Sequence, residues 1–148
     1  MVTACEFCTI ARGDVRADLV FQDALSVAFL DHRPLFPGHC LLVPRDHCET
    51  LTDLPASLVG PFFGNVQFLT RAVERAFAAD GSFVAVNNRV SQSVPHLHVH
   101  IVPRRYKDGL RGFFWPRQSY KDRQAALEAQ AALTAAITEL QSGRASGR

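Results

Sequence analysis

Short apolar runs alternate with polar or turn-forming residues over the first hundred positions of the chain. Several of these runs are four to eight residues long and rich in valine, leucine and phenylalanine, which is typical of strands. The runs lie at 19–22, 25–30, 39–44, 83–87 and 96–103. Two prolines and a glycine between Asp31 and Gly38 indicate a loop between the second and third runs. The pattern therefore predicts five strands.

Two longer stretches repeat apolar side chains at three- and four-residue steps, as amphipathic helices do. The first covers 55–79, and Pro61 lies early enough in it that the helix either begins or bends there. The second covers 121–141, and the Gly, Ser and Arg residues of 142–148 predict a disordered tail. Because strands mostly precede helices, we expect one α+β domain over 1–141 with a largely antiparallel sheet.

Composition and charge narrow the classes of protein that the chain can represent. Its 148 residues are 47% hydrophobic and 20% charged, which fits one globular domain. The net charge of +2 is too small to argue for a nucleic-acid partner. No apolar run reaches the roughly 18 residues of a membrane span. Since no secretory signal is visible either, we expect a cytoplasmic protein with reduced cysteines.

Half of the six histidines fall within five residues, at His96, His98 and His100. On a strand these side chains would share one face, about 6.6 Å apart at Cα. The row could be the polar side of an edge strand, or a metal site built from alternating ligands. It could also be a catalytic group in which one imidazole is a nucleophile and its neighbours set its tautomer and stabilise charge.

The segment Gln92–Val102 reads Q-S-V-P-H-L-H-V-H-I-V and closely resembles the motif of the histidine triad (HIT) family. A glutamine stands four positions before the first histidine, as the family expects. The segment 29–44 resembles the family's ribose-contacting loop and following strand, so the likeness spans roughly residues 5 to 105. It implies a HIT-like fold with a mostly antiparallel five-stranded sheet, one long central helix and a C-terminal helix, in a homodimer.

The resemblance also implies a mechanism. Nε2 of His98 would attack the α-phosphorus of a nucleotide, and water would hydrolyse the nucleotidyl-histidine. A backbone carbonyl would hold the Nδ1 proton of His98, and His100 would balance charge on the phosphate oxygens. Gln92 or Ser93 would hydrogen-bond the bridging atom or the leaving group. His96 would support the nucleophile from the neighbouring position.

Further positions match the family's nucleotide-binding residues. Asp31 matches the carboxylate that binds the ribose hydroxyls, and Asn87 a polar position beside the phosphate. His39 either supports the site or is structural. Purine preference is implied by the resemblance alone. The apolar slot for the base, whose members could equally be plain core residues, would comprise Phe7, Ile10, Phe29 and Leu30.

Cys5 and Cys8 form a C-x-x-C pair, which needs two more ligands to hold a metal. Bacterial members of the family bind structural Zn²⁺ with such a pair, a downstream histidine and the first histidine of the triad. Here His47 and His96 occupy those positions, completing a Cys₂His₂ set. A closed site of four protein ligands leaves no place for substrate, so its role would be structural. The alternative is two unliganded thiols.

The aromatic segment 112–116 is unusually apolar for a loop. We expect this segment to be buried in a dimer interface or beside the leaving group of the substrate. Alternatively, it packs over the hydrophobic core of its own chain. The substrate stays open between phosphoramidates or aminoacyl-adenylates, dinucleoside polyphosphates and transfer to phosphate. Two other functions also stay open: a nucleotide-binding or adaptor protein with little turnover, and a zinc-dependent hydrolase that uses the triad as ligands.

Overall fold

A computed structural model describes residues 5–111 and 118–146 of the chain. Contacts divide it into two compact units, 1–108 and 109–148. The first unit holds a sheet with helices, and the second holds one helix, so each is described by itself. The expectation of a single domain over 1–141 stays a prediction, and the aromatic segment 112–116 lies outside the described residues.

The first unit is built on one five-stranded sheet in the order β1-β2-β3-β5-β4. Every neighbouring pair in it is antiparallel. The predicted α+β class and the five-stranded antiparallel sheet are therefore confirmed. The strands are β1 Leu19–Gln22, β2 Ser26–Leu30, β3 Cys40–Pro44, β4 Gly81–Val86 and β5 Val99–Arg104.

Two helices and a short 3₁₀ turn accompany the sheet in the first unit. Helix α1, Glu6–Arg12, was not predicted, because its seven residues are too few to establish a helical period. The 3₁₀ turn is Leu51–Asp53. Helix α2, Ala56–Ala76, begins before Pro61 and continues through it. The proline removes one backbone hydrogen bond, a cost that the buried apolar stripe of α2 outweighs.

Helix α3, Arg123–Ser146, is the described element of the second unit. It extends past the predicted end at 141, so the prediction of a disordered tail is wrong for residues 142–146. Gly143 weakens the helix by about 1 kcal/mol but does not end it. Among the residues that the structure describes, no helix is both long and apolar enough to cross a bilayer.

Helices pack on both faces of the sheet, because apolar side chains alternate between the two faces along its strands. Cys40 and Leu42 of β3 pack with the stripe of α2 that includes Phe62 and Leu69. Leu41 and Val43 face the opposite way, where α1 packs. The second face is where β2, β3 and α1 meet.

The triad segment differs from its predicted form. Residues 96–103 were expected to be one strand, but β5 begins only at Val99. Leu97 N donates to Cys48 O (2.7 Å) and His96 N to Val94 O (2.8 Å), which bends the chain before the strand. Only His100 of the three histidines therefore lies in β5. The predicted alternation of sides still holds, because Leu97, Val99 and Ile101 pack in the α2 core while the ring of Phe7, on the other side, contacts both His96 and His98.

Gly38 closes the loop before β3 with φ at +95°, and a Cβ atom there would lie 2.6 Å from Cζ of Phe77. We predict that Gly38→Ala lowers the free energy of unfolding by about 2 kcal/mol, since both the backbone and the ring must shift. Urea denaturation measures this change. Gly64→Ala is the matched control: it lies inside α2 with open space around it, and we expect a gain of up to about 1 kcal/mol. Equal effects of the two variants would contradict the prediction.

Candidate active site and metal centre

A cleft of about 860 Å³ opens on the face of the sheet that carries α1. It brings together the predicted base slot, the ribose carboxylate and part of the triad segment. The predicted residues that line it are Phe7, Ile10, Phe29, Leu30, Asp31, Ser93, His98 and His100. The phenyl rings of Phe7 and Phe29 meet edge to face at 5.3 Å, giving the slot apolar walls.

His98 is 2% exposed and lies at the floor of this cleft. Its Nδ1 is 2.7 Å from the carbonyl oxygen of His96. Because a carbonyl only accepts, Nδ1 carries the proton and Nε2 keeps its lone pair. The ring of Phe7 packs edge-on against the imidazole at 5.2 Å. The geometry therefore holds one nitrogen of His98 in the form that a nucleophile needs.

His100 lies beside His98, with ring centroids 5.0 Å apart. Its Nδ1 is 2.9 Å from Nε2 of His39, whose Nδ1 accepts the backbone N–H of Leu35 at 3.0 Å. Burial lowers the pKa of His100 to about 4, assisted by the neighbouring histidines and opposed by Asp31. Burial also lowers the pKa of His39. Both rings are therefore neutral near pH 7.

Asp31 stands at the cleft with its carboxylate held by the local chain. Oδ1 accepts the backbone N–H of Arg33 at 2.9 Å. Oδ2 is 3.6 Å from Nε2 of His39, too far for a hydrogen bond. The carboxylate is thus oriented by its own loop and not by the histidines.

Gln92 and Asn87, both predicted to lie beside the phosphate or the leaving group, do not line the cleft. Nε2 of Gln92 donates to Glu49 O at 2.6 Å, and Oε1 of Gln92 accepts the backbone N–H of Arg89 at 2.7 Å. Gln92 thereby braces the loop before the triad. Nδ2 of Asn87 donates to Ser91 O at 3.2 Å, across the same loop.

The cleft also has walls that sequence reasoning missed. Loop 15–18 follows α1 and lines the cleft, a position that the sequence did not indicate because α1 was not predicted. The other missed residues lie one or two positions from predicted ones in sequence. They are Glu6, His32, Arg33, Leu41 and Val94.

The predicted metal ligands converge at the N-terminus of α1. The donor atoms of Cys5, Cys8, His47 and His96 all lie within 4.8 Å of one another. Cys8 Sγ is 3.3 Å from His47 Nδ1, and both sulfur atoms are 3.4 Å from His96 Nδ1. Tetrahedral coordination with the bond lengths of zinc places sulfur and nitrogen ligands about 3.5 Å apart. The residues fit a four-coordinate ion.

His96 joins the cluster of candidate metal ligands to His98. Its Nε2 donates to Pro44 O at 2.9 Å, which leaves the Nδ1 lone pair directed at the sulfur atoms. Its carbonyl accepts the Nδ1 proton of His98. Burial lowers the pKa of His96, keeping the ring in the neutral form that a metal requires. The side chain of His96 thus lies in the Cys/His cluster, while its backbone carbonyl binds the ring of His98.

A family model described as HIT domain matches residues 12–107, so the chain belongs to the histidine triad family. Adenylylsulfatase HINT3 of Arabidopsis thaliana is 32% identical over 129 residues, 86% of this chain and 64% of that protein. Adenosine 5'-monophosphoramidase hnt1 of Schizosaccharomyces pombe is 32% identical over 76% of this chain and 84% of its own length. The asymmetrical bis(5'-nucleosyl)-tetraphosphatase of the same yeast is 34% identical over 66% and 55%.

Solved structures of the family share the fold. A HIT family protein from Bacillus subtilis matches with a TM-score of 0.79 and 29% identity, covering 89% of this chain and 96% of that one. A Zn-bound histidine triad family protein from Mycobacterium smegmatis matches with a TM-score of 0.69 and 35% identity, covering 95% and 97%. The fold predicted from the motif is confirmed by these neighbours.

Proposed function

We propose that this protein is a hydrolase or transferase that cleaves at the α-phosphate of a purine nucleotide conjugate and releases a nucleoside monophosphate. The 2.7 Å hydrogen bond from His98 Nδ1 to His96 O carries the proposal, because it presents a lone pair at Nε2 inside a nucleotide-sized cleft. The names of three relatives describe an adenylylsulfatase, a nucleosyl tetraphosphatase and an adenosine phosphoramidase. The chain spans 64% of the plant relative, so its own substrate stays a proposal.

The reaction proceeds in two displacements at one phosphorus atom. Nε2 of His98 forms a bond to phosphorus while the bond to the leaving group breaks, and the leaving group departs with the electron pair and is protonated. The His98 ring becomes cationic, and the carbonyl of His96 stabilises that charge through the Nδ1 proton. Water then breaks the phosphorus–nitrogen bond, or phosphate does so in a transferase, and the imidazole is regenerated.

Each part of the substrate has a place in this scheme. The base lies between Phe7, Ile10, Phe29 and Leu30, and the ribose hydroxyls bind Asp31. Ser93 and His100 contact the phosphate or the leaving group, since both line the cleft. Gln92 and Asn87 hold the loop that presents Ser93.

The substrate class is tested by following AMP release from adenosine phosphoramidate and from diadenosine polyphosphates, with and without added phosphate. Faster release in phosphate identifies a transferase. Absence of AMP with every substrate favours the alternative, a nucleotide-binding or adaptor protein with little turnover. Complete loss of activity in EDTA with an intact fold, reversed by metal, favours a hydrolase that uses the triad as ligands.

We also propose that the ion held by Cys5, Cys8, His47 and His96 is a structural Zn²⁺. The Zn-bound mycobacterial neighbour and the Cys₂His₂ donor set support this identity. Bound zinc supplies cross-linking and not substrate activation, since all four positions are taken by protein. These residues then tie α1 to the loop that carries His47 and to the residue before the nucleophile.

We further propose that the protein is a cytoplasmic homodimer. Strand β4 is an edge of the sheet, and its Val84 is 41% exposed, which suits pairing with a second copy. The family resemblance supports the same assembly. None of the four described cysteines is paired in a disulfide, which suits a reducing compartment.

Asp31 provides a test of ribose recognition. We predict that Asp31→Ala lowers kcat/KM for a ribonucleotide substrate about 10- to 100-fold, because its charge-assisted hydrogen bonding to the ribose contributes about 1.5–3 kcal/mol in total. Steady-state kinetics on the ribose substrate and its 2',3'-dideoxy analogue measure the change. The analogue is the control, since it has no diol to lose. Equal losses on both substrates would remove Asp31 as the ribose ligand.

A further inference from the structure

A chain of hydrogen bonds runs from the backbone of the loop before β3 to the last histidine of the triad. The N–H of Leu35 points to Nδ1 of His39 at 3.0 Å, and Nε2 of His39 lies 2.9 Å from Nδ1 of His100. His39 is 3% exposed, so water does not compete for either nitrogen. The proposed chemistry assigns no task to this residue.

The direction of each hydrogen bond follows from its backbone end. A backbone N–H can only donate, so Nδ1 of His39 is unprotonated and its ring proton lies on Nε2. That proton has two acceptors nearby, Nδ1 of His100 at 2.9 Å and Oδ2 of Asp31 at 3.6 Å. Only the first is within hydrogen-bond distance. Nδ1 of His100 is therefore an acceptor, and the proton of neutral His100 lies on Nε2.

The charge state agrees with this geometry. Burial lowers the pKa of both His39 and His100, which keeps the two rings neutral. A protonated His39 would carry a hydrogen on Nδ1 and lose the amide of Leu35. A protonated His100 would lose the bond from His39.

We propose that His39 is a positioning residue that fixes the tautomer of His100, so that His100 offers an N–H at Nε2 to the phosphoryl group. The neighbouring His98 has the opposite tautomer, because its Nδ1 donates to His96 O and its Nε2 keeps a lone pair. Nε2 of His100 is thus a hydrogen-bond donor, whereas Nε2 of the neighbouring His98 is a nucleophile. The catalytic consequence rests on the proposed function, whereas the tautomer itself does not.

The loop that sets this tautomer is also the loop of the ribose carboxylate. Asp31 N donates to His39 O at 2.9 Å, and His39 N donates to Phe36 O at 3.0 Å. The positive φ of Gly38 allows the chain to fold back in this way. Sugar recognition and the orientation of His100 are therefore built into the same turn.

The test compares wild type, His39→Asn and His39→Gln. The side-chain amide of glutamine reaches the place of Nε2 and can donate to His100, whereas asparagine reaches only the place of Nδ1. ¹⁵N-edited NMR of the imidazoles, assigned with His100→Asn, reports which nitrogen of His100 bears the proton. We expect Nε2 in wild type and in His39→Gln, and a mixture of tautomers in His39→Asn. We also expect kcat to fall about 100-fold in His39→Asn and less than about 10-fold in His39→Gln, with little change in KM.

A wild-type spectrum with the proton on Nδ1 of His100 would overturn the proposal, and that measurement requires neither His39 variant to fold. An unchanged tautomer in His39→Asn, or equal losses of kcat in both variants, would also overturn it. The expected tautomer in a protein without turnover would instead refute only the proposed function.

Discussion

His98→Asn lowers the release of AMP by a factor of at least about 10⁴, since removal of a covalent nucleophile leaves only binding and charge stabilisation. Asparagine retains an N–H near the position of Nδ1, so it can still donate to the carbonyl of His96. The bend before β5 and the packing of Phe7 are therefore largely preserved. Single-turnover assays with a labelled nucleotide measure the loss.

Two further measurements make this prediction specific to covalent chemistry. Acid quenching should trap labelled nucleotide on wild type at His98 and nowhere on the variant, as peptide mapping would show. The variant should still bind the nucleotide product within a few-fold of wild type, because Asp31 and the apolar slot are unchanged. An adduct on another residue, or turnover retained by His98→Asn, would contradict the mechanism.

The motif identifies candidate residues where they are neighbours in sequence. His98 and Asp31 were located from short, specific patterns, and both line the cleft. The orientation of Gln92 could not be predicted in this way. Its side chain binds Glu49 O, 43 residues away, and only the folded loop determines that it braces the chain.

Long-range pairs mark the limit of sequence reasoning most clearly. His39 and His100 are 61 residues apart and meet because Leu41 of β3 pairs with His100 in register. No local pattern encodes that register. The predicted metal ligands are farther apart still, since Cys5 and His96 are separated by 91 residues. They were predicted only because donor types and order resemble a known set.

Helices and strands were predicted well where apolar packing repeats along the chain. They were predicted poorly where a single hydrogen bond determines the residue at which an element begins. The period of α2 is visible because four of its residues are buried on one stripe. The start of β5 at Val99 depends instead on the bond from Leu97 N to Cys48 O, which sequence periodicity does not reveal. Helix α1 is short and is held in place by its contacts, among them Phe7 against Phe29.

Loss of the metal should affect both stability and nucleotide affinity, because the same helix carries metal ligands and the walls of the base slot. We predict that Cys8→Ser abolishes stoichiometric zinc and lowers the melting temperature by about 10 °C. A ligand at a thousandfold excess over its Kd contributes about 4 kcal/mol, and each kcal/mol shifts Tm by about 2–4 °C in a chain of this size. We also expect KM to rise about tenfold as Phe7 and Ile10 lose their fixed position. Metal analysis, thermal unfolding and steady-state kinetics measure the three effects.

Cys48→Ala provides the matched control for Cys8→Ser. The Cys48 thiol is 9% exposed, and its sulfur is not among the donor atoms that converge at the Cys/His cluster. Its backbone carbonyl, which accepts Leu97 N, is unaffected by the substitution. We expect one zinc per chain in this variant.

Full zinc content in Cys8→Ser, or an unchanged KM after zinc is lost, would show that the cluster does not hold the base slot. A fall in kcat without a change in KM would instead locate the effect at the His96 carbonyl, where the metal ligand and the nucleophile meet.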